Sequence, residues 1–389
     1  MFCLLFFYSS NSIFSCFLII HFYKINCLYK ISIYYMKLSK NFKILSSYGF
    51  SHAVIDFVCA SVVMSIYARW FLKWIPMFYA ILIYNILAFW LQALFWHLVD
   101  KYKCPKLSAL LWCGFVALWT ILLYFCPWAA VICVWIGNAL FHVWGGVICI
   151  STNPEKATPS WIFVAPWALG LSFGIMLGKS GNFVWWYGIV LLLVSVVFMW
   201  LSSKDHNTYE IVKQFAEKQK NNQIKLKNII IWIILLLLIS IVIRSFVWFI
   251  VSYSWKVWLF AIMFTVSIVL WKFFWWIIAD KFGRIRVWVL SLILSLPCLL
   301  LGEQSIICWM VWIFLFNITM SIALAALIKA MPNRWWLAFW LLCMALLVWA
   351  LPSLLGINFD DIKNILLIVL IGISSVVLYV SLEKLGLKE

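Results

Sequence analysis

Charged residues are scarce in this chain: Asp, Glu, Lys and Arg make up 11% of its 389 residues, and only twelve of them are acidic. A soluble globular domain carries about a quarter charged residues and about half apolar ones. Here 67% are hydrophobic, so a soluble fold is excluded. Glycine is scarce as well, fifteen against twenty-eight tryptophans, although membrane helices ordinarily carry more glycine than soluble ones. The twelve cysteines form no Cys-x-x-Cys pair, which removes the usual zinc and dithiol signatures. Cys59, Cys113, Cys133, Cys149 and Cys298 lie inside apolar runs and read as small buried side chains. No cofactor or metal is expected. Residues 1–35 lack Ala, Gly, Val, Asp and Glu altogether, the residues whose codons begin with G. That bias is typical of translated AT-rich non-coding DNA, and Met36, followed by Lys37-Leu38-Ser39-Lys40, is the expected start; an extra membrane segment is the alternative.

What the chain has in abundance is apolar runs near the ~20 residues a bilayer-spanning helix requires. Bounded by Lys, Arg, Pro or short polar turns, they predict spans at residues 45–68, 77–99, 107–126, 128–151, 157–178 and 183–201, then 229–252, 256–279, 285–302, 305–329, 334–356 and 362–382. The expected fold is an all-α polytopic membrane protein of twelve transmembrane helices in two six-helix bundles, residues 36–201 and 229–389. Residues 202–228 form the linker between them, where Tyr209, Val212, Phe215 and Ala216 outline a short amphipathic helix.

Basic residues set the orientation, because Lys and Arg near span ends stay on the cytoplasmic side. They cluster before the first span, after the second (Lys101, Lys103, Lys106), in the linker, after the eighth (Lys281, Arg284, Arg286) and at the end of the chain. Both termini are therefore expected in the cytoplasm, and the membrane to be a bacterial cytoplasmic membrane. The net charge of +17 is scattered among short loops rather than gathered in one stripe, so no nucleic-acid partner is expected.

The loop after the second span runs Trp96-His97-Leu98-Val99-Asp100-Lys101-Tyr102, and the loop after the eighth runs Trp276-Ile277-Ile278-Ala279-Asp280-Lys281-Phe282-Gly283-Arg284-Ile285-Arg286. The two aspartates stand 180 residues apart, and Asn138 and Asn317 follow them at offsets of 38 and 37. Two halves with matched loops imply an internal duplication, the usual build of secondary transporters. The second loop resembles the cytoplasmic motif of the major facilitator superfamily, Gly-x-x-x-Asp-Arg/Lys-x-Gly-Arg-Arg/Lys. Within that superfamily, Gly137-Asn138-Ala139-Leu140-Phe141-His142 is similar to the fosmidomycin-resistance type of drug exporter. The resemblance implies a cytoplasmic latch in which Asp100 and Asp280 meet helix ends and the bases Lys101, Lys281, Arg284 and Arg286.

That motif has Gly four residues before the Asp, where Trp96 and Trp276 stand here. Trp144, Trp167, Trp336 and Trp340 likewise stand where the family pattern has Gly. The largest side chain at a close helix contact pushes the helices apart. Gly and Trp together number 43, about 11% of the chain, close to an ordinary Gly content plus a few Trp. Many of these tryptophans are therefore expected to be UGA codons that the source organism reads as Gly; the plainer alternative is a Trp-rich protein with interfacial belts, for which Trp128, Trp185 and Trp248 are placed.

Ionisable groups inside a bilayer are costly and mark transport pathways. His52 and Asp56 in the first span, and Asn138 and His142 in the fourth, each stand at i, i+4 and share a helix face. In the fold the resemblance implies, both spans line the central cavity. Asp56 is the expected proton carrier, tuned by His52 and His142, with Arg244 of the seventh span as counter-charge; Asn317 is a further cavity residue or a helix-to-helix bond. In the fifth span Pro166, Gly170, Gly174 and Gly178 make a small-residue stripe resembling an antiporter motif. The expected activity is proton-coupled export of a small organic molecule by a monomer, with uptake of a nutrient as the alternative. A membrane-embedded acyltransferase is the competing class.

Overall fold

The computed structural model describes residues 40–66, 105–156, 158–226, 228–251, 283–316, 319–348 and 359–386. The described residues are helical throughout, with short connections. In the half before the linker the helices are α1 (Lys40–Ile66), α2 (Pro105–Ile121), α3 (Pro127–Ser151), α4 (Thr158–Val164), α5 (Trp167–Lys179) and α6 (Trp185–Ser203). The linker forms α7 (Thr208–Leu226). Beyond it come α8 (Ile230–Ile250), α9 (Arg284–Leu300), α10 (Ile306–Phe316), α11 (Thr319–Ala330), α12 (Trp335–Leu347) and α13 (Lys363–Lys384). Ten of the twelve expected spans fall on these helices; the second and the eighth lie outside the described residues, as do residues 1–35.

Among the described residues, six stretches are long and apolar enough to cross a membrane: Asn41–Ile66, Ala129–Ser151, Thr158–Lys179, Trp185–Ser203, Ile230–Val247 and Lys363–Lys384. Their outward faces are apolar. Leu193, Val197, Trp200 and Leu201 on α6, Ile231, Trp232, Leu235 and Ile239 on α8, and Ile365, Ile368, Val369, Ile373 and Val376 on α13 are all exposed. Contiguous apolar faces of this kind are incompatible with water and match lipid. The chain is a multi-pass membrane protein.

The fifth span is interrupted where its sequence requires it. Pro166 has no N–H and its ring crowds the preceding turn, so α4 ends at Val164 and α5 restarts at Trp167. The Ala165 N–H still donates to the Trp161 carbonyl at 2.8 Å. The glycine stripe then packs α5 onto α1 at backbone distance. A Cβ on Gly170 would stand 2.0 Å from the Ala53 carbonyl oxygen, one on Gly174 2.4 Å from that of Phe57, and one on Gly178 2.7 Å from that of Ser61. Only glycine permits this approach.

Elsewhere α2 packs on α3 and α6, α8 on α11, α12 and α13, and α9 on α10 and α13. Among the described residues, α3 packs with α12 and α4 with α11 across the halves. At the first, Gly146 faces the Phe339 ring, where a Cβ would lie 2.8 Å from a ring carbon. Lys106 closes the end of α6 by donating to the carbonyls of Ser203 and Lys204, both at 2.7 Å, a cation at the negative end of a helix.

The amphipathic linker helix is present and lies against α3. Val212, Phe215, Ala216 and Gln219 are buried, and the Phe215 ring meets Trp335 edge-on at 5.4 Å. Lys218 pairs with Glu155 in the loop before α4. Tyr209, which the sequence pattern groups with them, is exposed in the first turn of α7, whereas Thr208 beside it is buried.

Many indoles inside the fold have no acceptor. The Nε1–H groups of Trp119, Trp144, Trp288, Trp335 and Trp336 are buried without a hydrogen-bond partner. A buried Trp N–H ordinarily finds one, and each that does not costs about 1–3 kcal/mol. Trp144 and Trp336 are among the positions where the family pattern has glycine.

Candidate functional site

The site is built on α1 and α3, two long and mostly buried helices. At 3.6 residues per turn, His52 and Asp56 project from one face of α1, and Asn138 and His142 from one face of α3. The packing turns these faces toward each other. His52, Asp56 and Asn138 are 1%, 4% and 2% exposed, whereas the His142 side chain is 19% exposed.

Asp56 is the hub. Its Oδ1 accepts from the Asn138 side-chain amide at 3.0 Å. Its Oδ2 lies 3.2 Å from His52 Nε2 and 3.6 Å from His142 Nε2. The two imidazoles meet Nε2 to Nε2 at 2.7 Å, with their rings perpendicular. Each ring is anchored at its other nitrogen: His52 Nδ1 donates to the Phe163 carbonyl and His142 Nδ1 to the Asn138 carbonyl, both at 2.8 Å. Phe163 also stacks its ring on His52, with centroids 4.3 Å apart and planes 22° from parallel.

A carboxylate oxygen and two ring nitrogens pointing at one another form a three-donor set able to face a metal ion. Two nitrogens bound to one first-row ion at ~2.05 Å stand about 2.9 Å apart even at a right angle, and farther apart at a tetrahedral one. The 2.7 Å between the imidazoles is tighter than that, and suits a hydrogen bond.

Phe163 is the participant that sequence reading missed. Its carbonyl belongs to the last turn of α4, where helix carbonyls lose their intrahelical donors. The signal was Pro166, which ends that helix, but nothing in the sequence says which side chain takes the carbonyl.

Other expected residues fall apart from this group. Arg244 is buried in α8, and its guanidinium carbon lies 5.8 Å from the centroid of the Phe316 ring; the described contacts of Asp56 come from His52, His142 and Asn138. Asn317, Trp96, Asp100, Lys101, Trp276, Asp280 and Lys281 lie outside the described residues. Arg284 opens α9 and Arg286 follows it, exposed, in the first turn. Gly283, just before them, has φ +88°, a conformation that side-chain-bearing residues rarely adopt.

No known protein family and no curated protein matches the chain at the level of sequence. Solved structures do match its shape. FucP, a major facilitator superfamily transporter in an outward conformation, aligns with a TM-score of 0.62 at 11% identity, covering 88% of this chain and 99% of that one. The human organic anion transporter MFSD10 aligns with a TM-score of 0.59 at 12% identity, covering 89% and 99%. A point variant of the fucose:proton symporter FucP of E. coli gives 0.58 at 11%, covering 87% and 97%. The fold of this chain is that of the major facilitator superfamily.

Proposed function

We propose that this protein is a secondary active transporter that exports a small organic molecule in exchange for protons, by rocking of residues 36–201 against residues 229–389. The observation that carries the reading is the buried His52–Asp56–His142–Asn138 cluster, set on two helices of a major facilitator fold, with His142 its most exposed member. A buried carboxylate between two imidazoles is a site where a proton is taken up and given back, and intramembrane ionisable groups are expensive unless they serve such a pathway.

The contacts of α3 with α12 and of α4 with α11 lie toward the span ends that the basic residues assign to the cytoplasm, as in a state closed on that side. The family resemblance assigns the latch of Asp100, Lys101, Asp280, Lys281, Arg284 and Arg286, together with Trp96 and Trp276, to the same face. Export is supported by the tight seam of Gly170, Gly174 and Gly178 against α1, which leaves little room for water between the helices. The likeness to fosmidomycin-resistance exporters rests on residues 137–142. Uptake is the second reading, favoured by the likeness to a structure described as a fucose:proton symporter. An acyltransferase is disfavoured because the His–carboxylate pair sits within the helices rather than at a membrane surface.

We propose a bacterial cytoplasmic membrane as its site, with both termini inside and a monomer as the working unit, its partners being lipid, protons and the substrate. A resistance screen in a drug-sensitive host, comparing the chain with Asp56→Asn, tests the reading. Protection against at least one compound, lost in the variant, is expected; no compound distinguishing the two argues against export.

A further inference from the structure

The two imidazoles use their Nδ1 atoms in the same way. Each lies 2.8 Å from a backbone carbonyl oxygen, and a carbonyl only accepts, so both Nδ1 atoms carry a proton. In two neutral rings the Nε2 atoms would then be bare lone pairs, yet they meet at 2.7 Å. Lone pairs do not approach so closely. One proton between them converts the approach into a short, charge-assisted hydrogen bond. The charge this creates has its partner in place: Asp56 Oδ2 lies 3.2 and 3.6 Å from the two nitrogens.

We infer that the cluster holds a single proton shared between His52 Nε2 and His142 Nε2, and that Asp56 is its fixed counter-charge and not its carrier. The assignment rests on the proposed transport function only for its purpose; the bridge itself follows from the geometry. The ionisable neighbours on α1 are Asp56 and Cys59, whose thiol donates to the Val134 carbonyl at 3.7 Å. From α3 comes Asn138, bonded to Asp56, and from α4 the Phe163 carbonyl and ring.

Release of the proton is a heterolysis. The N–H bond breaks, its electron pair stays on nitrogen, and the proton passes to water or substrate on the side where His142 is exposed. What remains is two neutral imidazoles beside one carboxylate, so the cluster goes from neutral to a charge of minus one. The opposed lone pairs then force the rings apart. His52 is fixed by its stacking on Phe163 and by its bond to that residue's carbonyl, so His142 is the ring that moves. Loss of the proton thereby breaks the imidazole link between α1 and α3 and presents a bare nitrogen to the open side. The substrate group that replaces the proton there is a hydrogen-bond donor, such as an amine or a hydroxyl.

The full chain has five histidines, few enough for NMR of 15N-histidine-labelled protein in lipid nanodiscs. The expected spectrum shows Nδ1 protonated in both His52 and His142, and one strongly downfield proton coupled to both Nε2 nuclei. That proton is absent in His52→Gln and in His142→Gln. A bare Nδ1 in either ring, or no shared proton anywhere between about pH 5 and 9, overturns the inference. The spectrum of the unaltered protein decides this, so a variant that fails to fold does not block the test. A shared proton seen in a protein whose His142→Gln variant keeps unchanged proton-driven flux upholds the bridge and places the failure in the transport reading.

Discussion

Gly170 lies so close to Ala53 that a single added carbon would stand 2.0 Å from the Ala53 carbonyl oxygen. This contact fixes α5 against the helix that carries His52 and Asp56, and backbone is the side of the contact that cannot yield. Gly170→Ala is therefore expected to destabilise the protein by about 1–3 kcal/mol through overpacking and to lower its thermal unfolding midpoint in detergent. Gly114→Ala, at a glycine with nothing within 4 Å of the added carbon, is the matched control and is expected to leave the midpoint in place. Equal midpoints for the two variants would contradict the seam.

Asn138 holds one oxygen of Asp56 and, through its backbone carbonyl, the ring of His142. Asn138→Leu deprives a buried carboxylate oxygen of its donor while leaving the backbone acceptor. A loss of about 1.5–3 kcal/mol is expected, measurable by denaturant titration. Asn138→Ser, which retains a donor, is expected to recover part of it.

The linker helix is held by packing more than by charge. Phe215 is buried edge-on against Trp335, whereas the Lys218–Glu155 pair is exposed, and exposed pairs contribute about 0–1 kcal/mol. Phe215→Ala should thus lower the unfolding midpoint clearly more than Lys218→Ala, and the effect of the latter should vanish in high salt.

The five acceptorless indoles give a physical reason to doubt that every tryptophan belongs where it stands. Mass spectrometry of peptides from the source organism is expected to find Gly at positions 144 and 336. In recombinant protein, Trp144→Gly and Trp336→Gly are expected to be tolerated, and to raise expression of folded protein. Native peptides carrying Trp at both positions would reject the recoding.

The sequence showed the spans because a helix must hide about 20 residues of backbone in lipid, and composition alone records that. It showed the pairing of His52 with Asp56 and of Asn138 with His142, because i, i+4 spacing is a local property. That the two pairs meet depends on how α1 and α3 pack, and was reachable only through the family resemblance. The Phe163 carbonyl was illegible because backbone acceptors leave no mark on residue type. Arg244 is expected on charge alone as the counter-charge from the other half; the sequence does not show that its guanidinium lies over the Phe316 ring. Tyr209 shares the apolar spacing of Val212, Phe215 and Ala216 but is exposed, because spacing alone does not say how far along α7 the packed face extends.

The central claim is that transport is driven through the cluster on α1 and α3. Its most direct test is proton-gradient-driven flux of a screened substrate in proteoliposomes, comparing the unaltered chain with Asp56→Asn and His142→Gln. His142→Gln removes a positioned proton-transfer group, which typically costs about 10²–10⁴ in rate, and Asp56→Asn removes the counter-charge that holds the proton there, so both variants are predicted to lose at least a hundredfold of gradient-driven flux while still binding substrate. Gradient-driven flux unchanged in both variants would contradict the account.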